Sequence, residues 1–149
     1  MLPVAGPRYP INMDQLRSNQ SSVLFVTPRT EDASQLSQML SPLPLVLDHV
    51  PDLKQARAKY RHDRYRVILT EVSLPDGDWR DVLALSQENW PAADVIVTDP
   101  HADARFWAEA LNLGVYDLLV QPFEAPEVCR ILSNACMRPP GLVAGSSAL

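Results

Sequence analysis

Glycine is scarce in this chain: five residues in 149, scattered singly. Phosphate-cradling loops and dinucleotide-binding turns need closely spaced glycines, and neither a P-loop nor a dinucleotide fingerprint occurs. Cysteine is scarcer still, with only Cys129 and Cys136. Seven positions apart in a helical pattern, they are separated by roughly 10 Å along one face. A disulfide needs Cα atoms within about 7 Å, so two buried or half-buried thiols are expected. No apolar run approaches the ~20 residues of a membrane span. No basic segment followed by an apolar one reads as a secretory signal, so a cytoplasmic location is expected. The formal net charge of -5 and pI near 5.0 speak against a general nucleic-acid binder. No nucleophile, base and orienting residue stand in a hydrolytic pattern, and no enzymatic activity is expected.

What is present fits one globular core: 46% of residues are hydrophobic and 21% charged. Pro3, Gly6, Pro7 and Pro10 break any pattern at the start, where at most a short helical turn around Met13 to Arg17 is expected. Pro139-Pro140-Gly141 and Gly145 do the same at the other end. The expected organisation is a tail over 1–20, a folded domain over 21–138, and a tail or linker over 139–149.

Within those limits, strands and helices alternate. Val23 to Val26, Leu45 to Leu47 (ending near Asp48), Val67 to Thr70, Asp94 to Thr98 and Tyr116 to Val120 read as short buried strands. Helices are predicted from Thr30, a capping residue, to about Leu40; from Pro51 through Tyr60; from Trp79 to about Asn89; from about His101 to Leu113, closed by Gly114; and from Pro126 onward. In the last, Val128, Ile131, Leu132 and Ala135 repeat at helical spacing. Five β-α units predict a parallel sheet covered by helices on both faces.

The stretch Arg66 to Trp79 is the most informative. Val67-Ile68-Leu69 ends at Thr70-Glu71, an acid at the carboxyl end of a strand, where open parallel sheets bind their ligands. Leu74-Pro75-Asp76-Gly77-Asp78 then makes a turn, with Pro75 presetting φ and Gly77 free to take positive φ. Further on come Gly114-Val115-Tyr116-Asp117-Leu118-Leu119 and Gln121-Pro122-Phe123. Together these segments resemble the receiver domains of response regulators, the CheY-like family, over about Val23 to Met137. The resemblance implies an α/β fold, a flavodoxin-like (βα)5 three-layer sandwich with strand order 2-1-3-4-5.

It also implies a site. The family transfers a phosphoryl group to an aspartate, using an acidic pair after strand one for Mg2+, a Thr or Ser ending strand four and a Lys ending strand five. On this chain the acidic pair falls on Thr27 and Pro28, the phosphoacceptor on Glu71, the hydroxyl on Thr98 and the lysine on Gln121. Neither Thr27 nor Pro28 offers a carboxylate, so no Mg2+ site is expected. Glu31 and Asp32 read as charges compensating the dipole of the first helix. The pocket is thus expected to hold too few anions for a divalent metal and no cation for a phosphate, with Glu71 and Gln121 hydrogen-bonded to each other. Glu71 reads equally as a fixed mimic of a phosphorylated aspartate or as a lost site.

Lys54, Arg57, Lys59, Arg61, Arg64 and Arg66, with His62, concentrate nearly half of the thirteen Lys and Arg residues. With no aromatic platform among them, they read as a solvated helix face. Trp79 stands where the family has glycine and is the tryptophan expected to be exposed. Trp107 beside Phe106, and Leu118 where a switching aromatic is usual, complete the candidate interface. Asp99, His101 and Asp103 read as loop polarity and capping rather than as metal ligands. The resemblance therefore implies a degenerate receiver, a phosphorylation-independent interaction module for a signalling protein or an output domain, with a homodimer through helices four and five. The alternatives are a working receiver that accepts phosphate on Glu71 or a nearby residue, and a small-ligand sensor using the vacated crevice.

Overall fold

β-branched and leucine-rich runs form the strands because both faces of this sheet are buried, leaving no polar side to show. The computed structural model describes residues 21–101 and 103–137; the expected tails and the turn near Met13 lie outside them. The elements are β1 (Ser21–Val26), α1 (Thr30–Leu40), β2 (Leu45–Val50), α2 (Leu53–His62), β3 (Val67–Glu71), the short strands β4 (Ser73–Leu74) and β5 (Gly77–Asp78), α3 (Trp79–Ser86), β6 (Asp94–Asp99), α4 (Ala104–Leu113), β7 (Asp117–Val120) and α5 (Ala125–Met137). The five long strands pair in parallel in the order β2-β1-β3-β6-β7. Counted as the five main strands, this is the 2-1-3-4-5 order and the flavodoxin-like fold.

Alternation along each strand divides the core in two. Val23, Phe25, Val67, Leu69, Ile96 and Leu119 face α1 and α5, meeting Leu36, Leu40, Val128, Ile131, Leu132 and Ala135. Leu24, Val26, Ile68, Val95, Val97 and Leu118 face the other way, onto Leu53, Ala56 and Tyr60 of α2, Val82 and Leu85 of α3 and Ala110 of α4. At about 1.5–3 kcal/mol for each fully buried large aliphatic side chain, these two layers supply the drive that closes the three-layer sandwich.

Several local details differ from expectation. β2 runs on to Val50, so α2 starts at Leu53 rather than at Pro51, with Asp52 as its cap accepting from the Gln55 N–H at 2.8 Å. A second carboxylate reaches the same helix start from the loop after β3: Asp76 accepts from the N–H groups of Leu53 at 2.8 Å and Lys54 at 3.0 Å. Those bonds, Leu53's first, hold its carboxyl below the usual carboxylate range. At α1 the capping position is Arg29, not Thr30, with no side-chain cap bond. α3 is shorter than expected, ending at Ser86, while Asp78 and Asp81 form a reciprocal capping box at its start. Gly114 closes α4 in the left-handed conformation at φ 114, as its position predicts.

Gly77 is needed for a different reason from the one its turn suggests. It is not in the positive-φ region; instead a Cβ there would lie 2.6 Å from Asp81 Oδ2 and 2.8 Å from Leu53 Cδ2. A side chain there would have to displace the Asp81 carboxylate of the α3 capping box and the buried Leu53 side chain at the α2 start. Gly77→Ala is expected to destabilise the domain by about 1–3 kcal/mol, as overpacking does, measured by urea unfolding against the parent chain.

Two interface candidates prove to be core. Trp79 is only 2% exposed, its ring edge-on to Phe106 with centroids 5.5 Å apart. It is the first residue of α3, and Phe106 of α4 comes across to cover it. Leu118 is also 2% exposed, because it sits on the face of β7 that packs beneath the helices. Phe106 and Trp107 are half-buried against the same cluster. The exposed tryptophan is Trp90, at 78%. The two cysteines are free and half-buried, and burial pushes the Cys136 thiol up. No helix among the described residues is long and apolar enough to cross a membrane.

Candidate functional site

The strand order reverses between β1 and β3, and a crevice opens there at the carboxyl ends of the strands, where topology places ligand sites. It has a volume of about 620 Å³. Glu71 from the end of β3, Thr98 and Asp99 from the end of β6, and Gln121 after β7 form its floor, while Pro28, Arg29, His101, Asp103 and Phe106 stand around the rim. Thr98 lies directly beside Glu71 in the β3–β6 ladder.

The Glu71 carboxylate is already engaged. The hydroxyl of Thr27, a fully buried residue, donates to Glu71 Oε2, and the same oxygen of Thr27 accepts from the Arg29 N–H at 3.0 Å. The carbonyl of Thr27 in turn accepts from His49 Nε2 at 2.8 Å. Thr27 therefore ties the acid at the end of β3 to the loop that follows β1. Such a charge-assisted bond is roughly twice as strong as a neutral one, so it fixes the carboxylate on the β1 side of the crevice.

Gln121 does not bond Glu71, as the sequence suggested. Its amide donates from Nε2 to Asp32 Oδ2 at 3.1 Å. Asp32 lies in the first turn of α1 as expected, but one helical position carries its carboxylate toward β7 rather than out to solvent. Eighty-nine residues separate the pair, so no local signal could have found it. The backbone N–H of Gln121 bonds the Asp99 carbonyl at 3.0 Å. Thr98 makes only a long 3.5 Å bond to the Thr70 carbonyl, leaving its hydroxyl at the crevice floor weakly committed.

The charge reading of the sequence needs correction. Arg29 lines the crevice, so it is not without a cationic group; His101 lines it too. Arg29 is exposed, and no ion-pair partner for it occurs among the described residues. Sequence reasoning missed it because attention fell on the two positions before it, where the family carries acids. Asp99 and Asp103 have local duties: Asp99 accepts from the His101 N–H, and Asp103 caps α4 through the Arg105 N–H, both at 2.9 Å.

The family's implied Mg2+ can be tested against these donors. Thr27 offers a hydroxyl that is already bonded, Pro28 offers nothing, and the Asp32 carboxylate is turned to Gln121. Among the described residues no group of three or more His, Cys, Asp or Glu side chains could hold a metal ion. Mg2+ is usually held by one or two carboxylates together with waters and phosphate oxygens, and the two positions that follow β1, Thr27 and Pro28, supply none.

No family model matches the chain. Over 88 residues, 59% of its length, it is 27% identical to the DNA-binding transcriptional regulator NtrC of Proteus hauseri, and it spans 18% of that protein. Over 81 residues it is 26% identical to the chemotaxis protein CheY of Listeria monocytogenes, covering 54% of this chain and 68% of that one. Among solved structures, a beryllofluoride-activated NtrC4 receiver domain dimer superimposes with a TM-score of 0.71 at 28% identity, covering 77% of this chain and 95% of that one. Strand order, the position of the crevice and these likenesses agree: the fold is that of CheY-like receiver domains, and the chain is similar to the receivers of response regulators.

Proposed function

We propose that this receiver works without phosphorylation, as a regulatory module that engages a protein partner. One observation carries the reading: the acid in the phosphoacceptor position is bonded to a threonine that stands where the family places a metal-binding acid, while the residue in the lysine position is a neutral amide turned to Asp32. Glutamate also projects its carboxylate more than ~1 Å beyond an aspartate's, a displacement that can cost on the order of 100-fold in rate. Mg2+ has no role in this reading. Glu71 acts as a permanent charge of about -1 where a phosphorylated aspartate would carry about -1.5 to -2.

The partner is a signalling protein or an output domain, and contact with nucleic acid is indirect. The half-exposed pair Phe106 and Trp107, with Leu111 and Leu113 at 45% and 49% exposure on the same helix, supports a contact or a homodimer through α4 and α5. The module belongs to the cytoplasm in this reading. The test is a titration with beryllofluoride and Mg2+ followed by amide NMR. The expected result is no saturable movement at Glu71, Thr98 or Gln121; Mg2+-dependent saturable shifts at those residues would overturn it.

A second reading is favoured by Arg29 and His101 at the crevice mouth: a small anionic ligand held there instead of a phosphoryl group. A thermal-shift screen of carboxylates and phosphates would show it as a stabilisation lost in Arg29→Ala.

A further inference from the structure

The basic run of α2 lacks an aromatic partner in sequence, but folding supplies one. The loop after α3 is stitched to Tyr60 by three bonds: the Tyr60 hydroxyl donates to the Ser86 carbonyl at 2.8 Å and accepts from the Ala93 N–H at 3.2 Å, while Asn89 Nδ2 donates to the Tyr60 carbonyl at 3.2 Å. Trp90 is carried in that loop, 78% exposed. Arg61, His62 and Arg64, in the last turn of α2 and just after it, are all exposed, and Arg61 reaches Glu88, two positions before Trp90, at 3.5 Å. This surface lies at the amino ends of β3 and β6, the opposite edge of the sheet from the crevice, where Val67 pairs with Asp94.

The charges nearby can be accounted for one by one. Lys59 pairs with Asp63 at 3.3 Å and Arg61 with Glu88 at 3.5 Å. Arg64 and His62 have no ion-pair partner among the described residues, and Arg61 keeps 62% of its side chain exposed. The surface thus offers one large, flat, exposed apolar ring and two arginines, Arg61 shared with Glu88 and Arg64 without an ion-pair partner among the described residues. Arginine and tryptophan are the residues in which binding hot spots are enriched. A nucleic acid draws its affinity from many phosphate contacts; this patch offers few cations on a chain whose net charge is -5. A short acidic segment with an apolar side chain in its middle needs no more than what is here.

We propose that Trp90, Arg61 and Arg64 form a docking surface for an acidic, leucine- or aromatic-containing linear segment of a protein partner, separate from both the crevice and the α4–α5 face. The apolar side chain lies on the Trp90 ring and its flanking carboxylates meet Arg64 and Arg61, with Glu88 released from Arg61.

The probe is a synthetic peptide of two leucines flanked by glutamates and aspartates, titrated at low salt with the Trp90 indole N–H and the backbone amides followed by NMR. Saturable movement confined to residues around Trp90 and Arg64 is expected. Trp90→Ala and Arg64→Glu are each expected to weaken the peptide about tenfold or more. Both positions are exposed, and the unchanged amide spectrum of the remainder checks that each variant is folded. No saturable movement at millimolar peptide, or equal affinity in both variants, would overturn the proposal. So would tighter binding of a single-stranded oligonucleotide of the same charge, which would assign the surface to nucleic acid.

Discussion

Trp79→Ala is expected to destabilise the domain by about 3–5 kcal/mol, the usual cost of removing a buried aromatic ring. The indole is 2% exposed and meets the ring of Phe106 at 88°. Edge-to-face contacts of this kind add about 0.5–1.5 kcal/mol beyond area burial. Outside it, the Arg80 guanidinium lies 4.7 Å from the ring centroid and bridges on to Glu109 at 2.5 Å. That bridge is half-exposed and contributes little by itself, so the loss comes from packing. Because Phe106 also lines the crevice, the variant should loosen the crevice wall as well as the core. Trp79→Phe keeps most of the contact and should lose much less. Urea unfolding of both variants checks this; a loss below ~1 kcal/mol in Trp79→Ala would mean that the ring is not in the core.

The second large effect is a gain. A chain carrying Thr27→Asp, Pro28→Asp, Glu71→Asp and Gln121→Lys is expected to accept a phosphoryl group from a small acyl phosphate in the presence of Mg2+. The carboxylate oxygen of the new residue at 71 attacks phosphorus, and the donor's bridging P–O bond breaks with its carboxylate leaving. Phosphoryl transfer asks the protein mainly for position and charge. The four substitutions supply the metal-binding carboxylates, shorten the acceptor and place an ammonium beside Asp32, where the uncharged Gln121 amide now donates. Glu71→Asp alone is expected to stay unmodified, since it restores reach without either the metal or the cation. Replacing Thr27 also removes the hydroxyl that engages the acid at 71, so the acceptor is freed by the same change that builds the metal site.

The fold was legible because its signals are local. Each strand is a short apolar run closed by a turn residue, and the spacing of Val128, Ile131, Leu132 and Ala135 names the face of α5 that the structure buries. Glu71, Thr98 and Gln121, read from the ends of three strands, all line one crevice. What those side chains bond to was not legible, since Thr27–Glu71 and Asp32–Gln121 join residues 44 and 89 positions apart. Nor did local pattern reveal which tryptophan is exposed. Trp79 looks like an intruder at a glycine position, and only Phe106, from another helix, shows that it belongs inside. Trp90 sits in a polar loop whose neighbours Asn89 and Ala93 bond Tyr60, 29 and 33 positions away in sequence, and that tie has no local signature. Gly77 was expected to use its freedom at positive φ; it does not, and what a side chain there would meet is Asp81 and Leu53.

Intact-mass spectrometry of the unmodified chain, incubated with an acyl phosphate and Mg2+ beside the fourfold variant, bears most directly on the idea that this receiver signals with its phosphorylation chemistry gone. The parent chain should keep its mass while the variant gains one phosphoryl group. A phosphoryl adduct on the parent, mapped to Glu71, would contradict it.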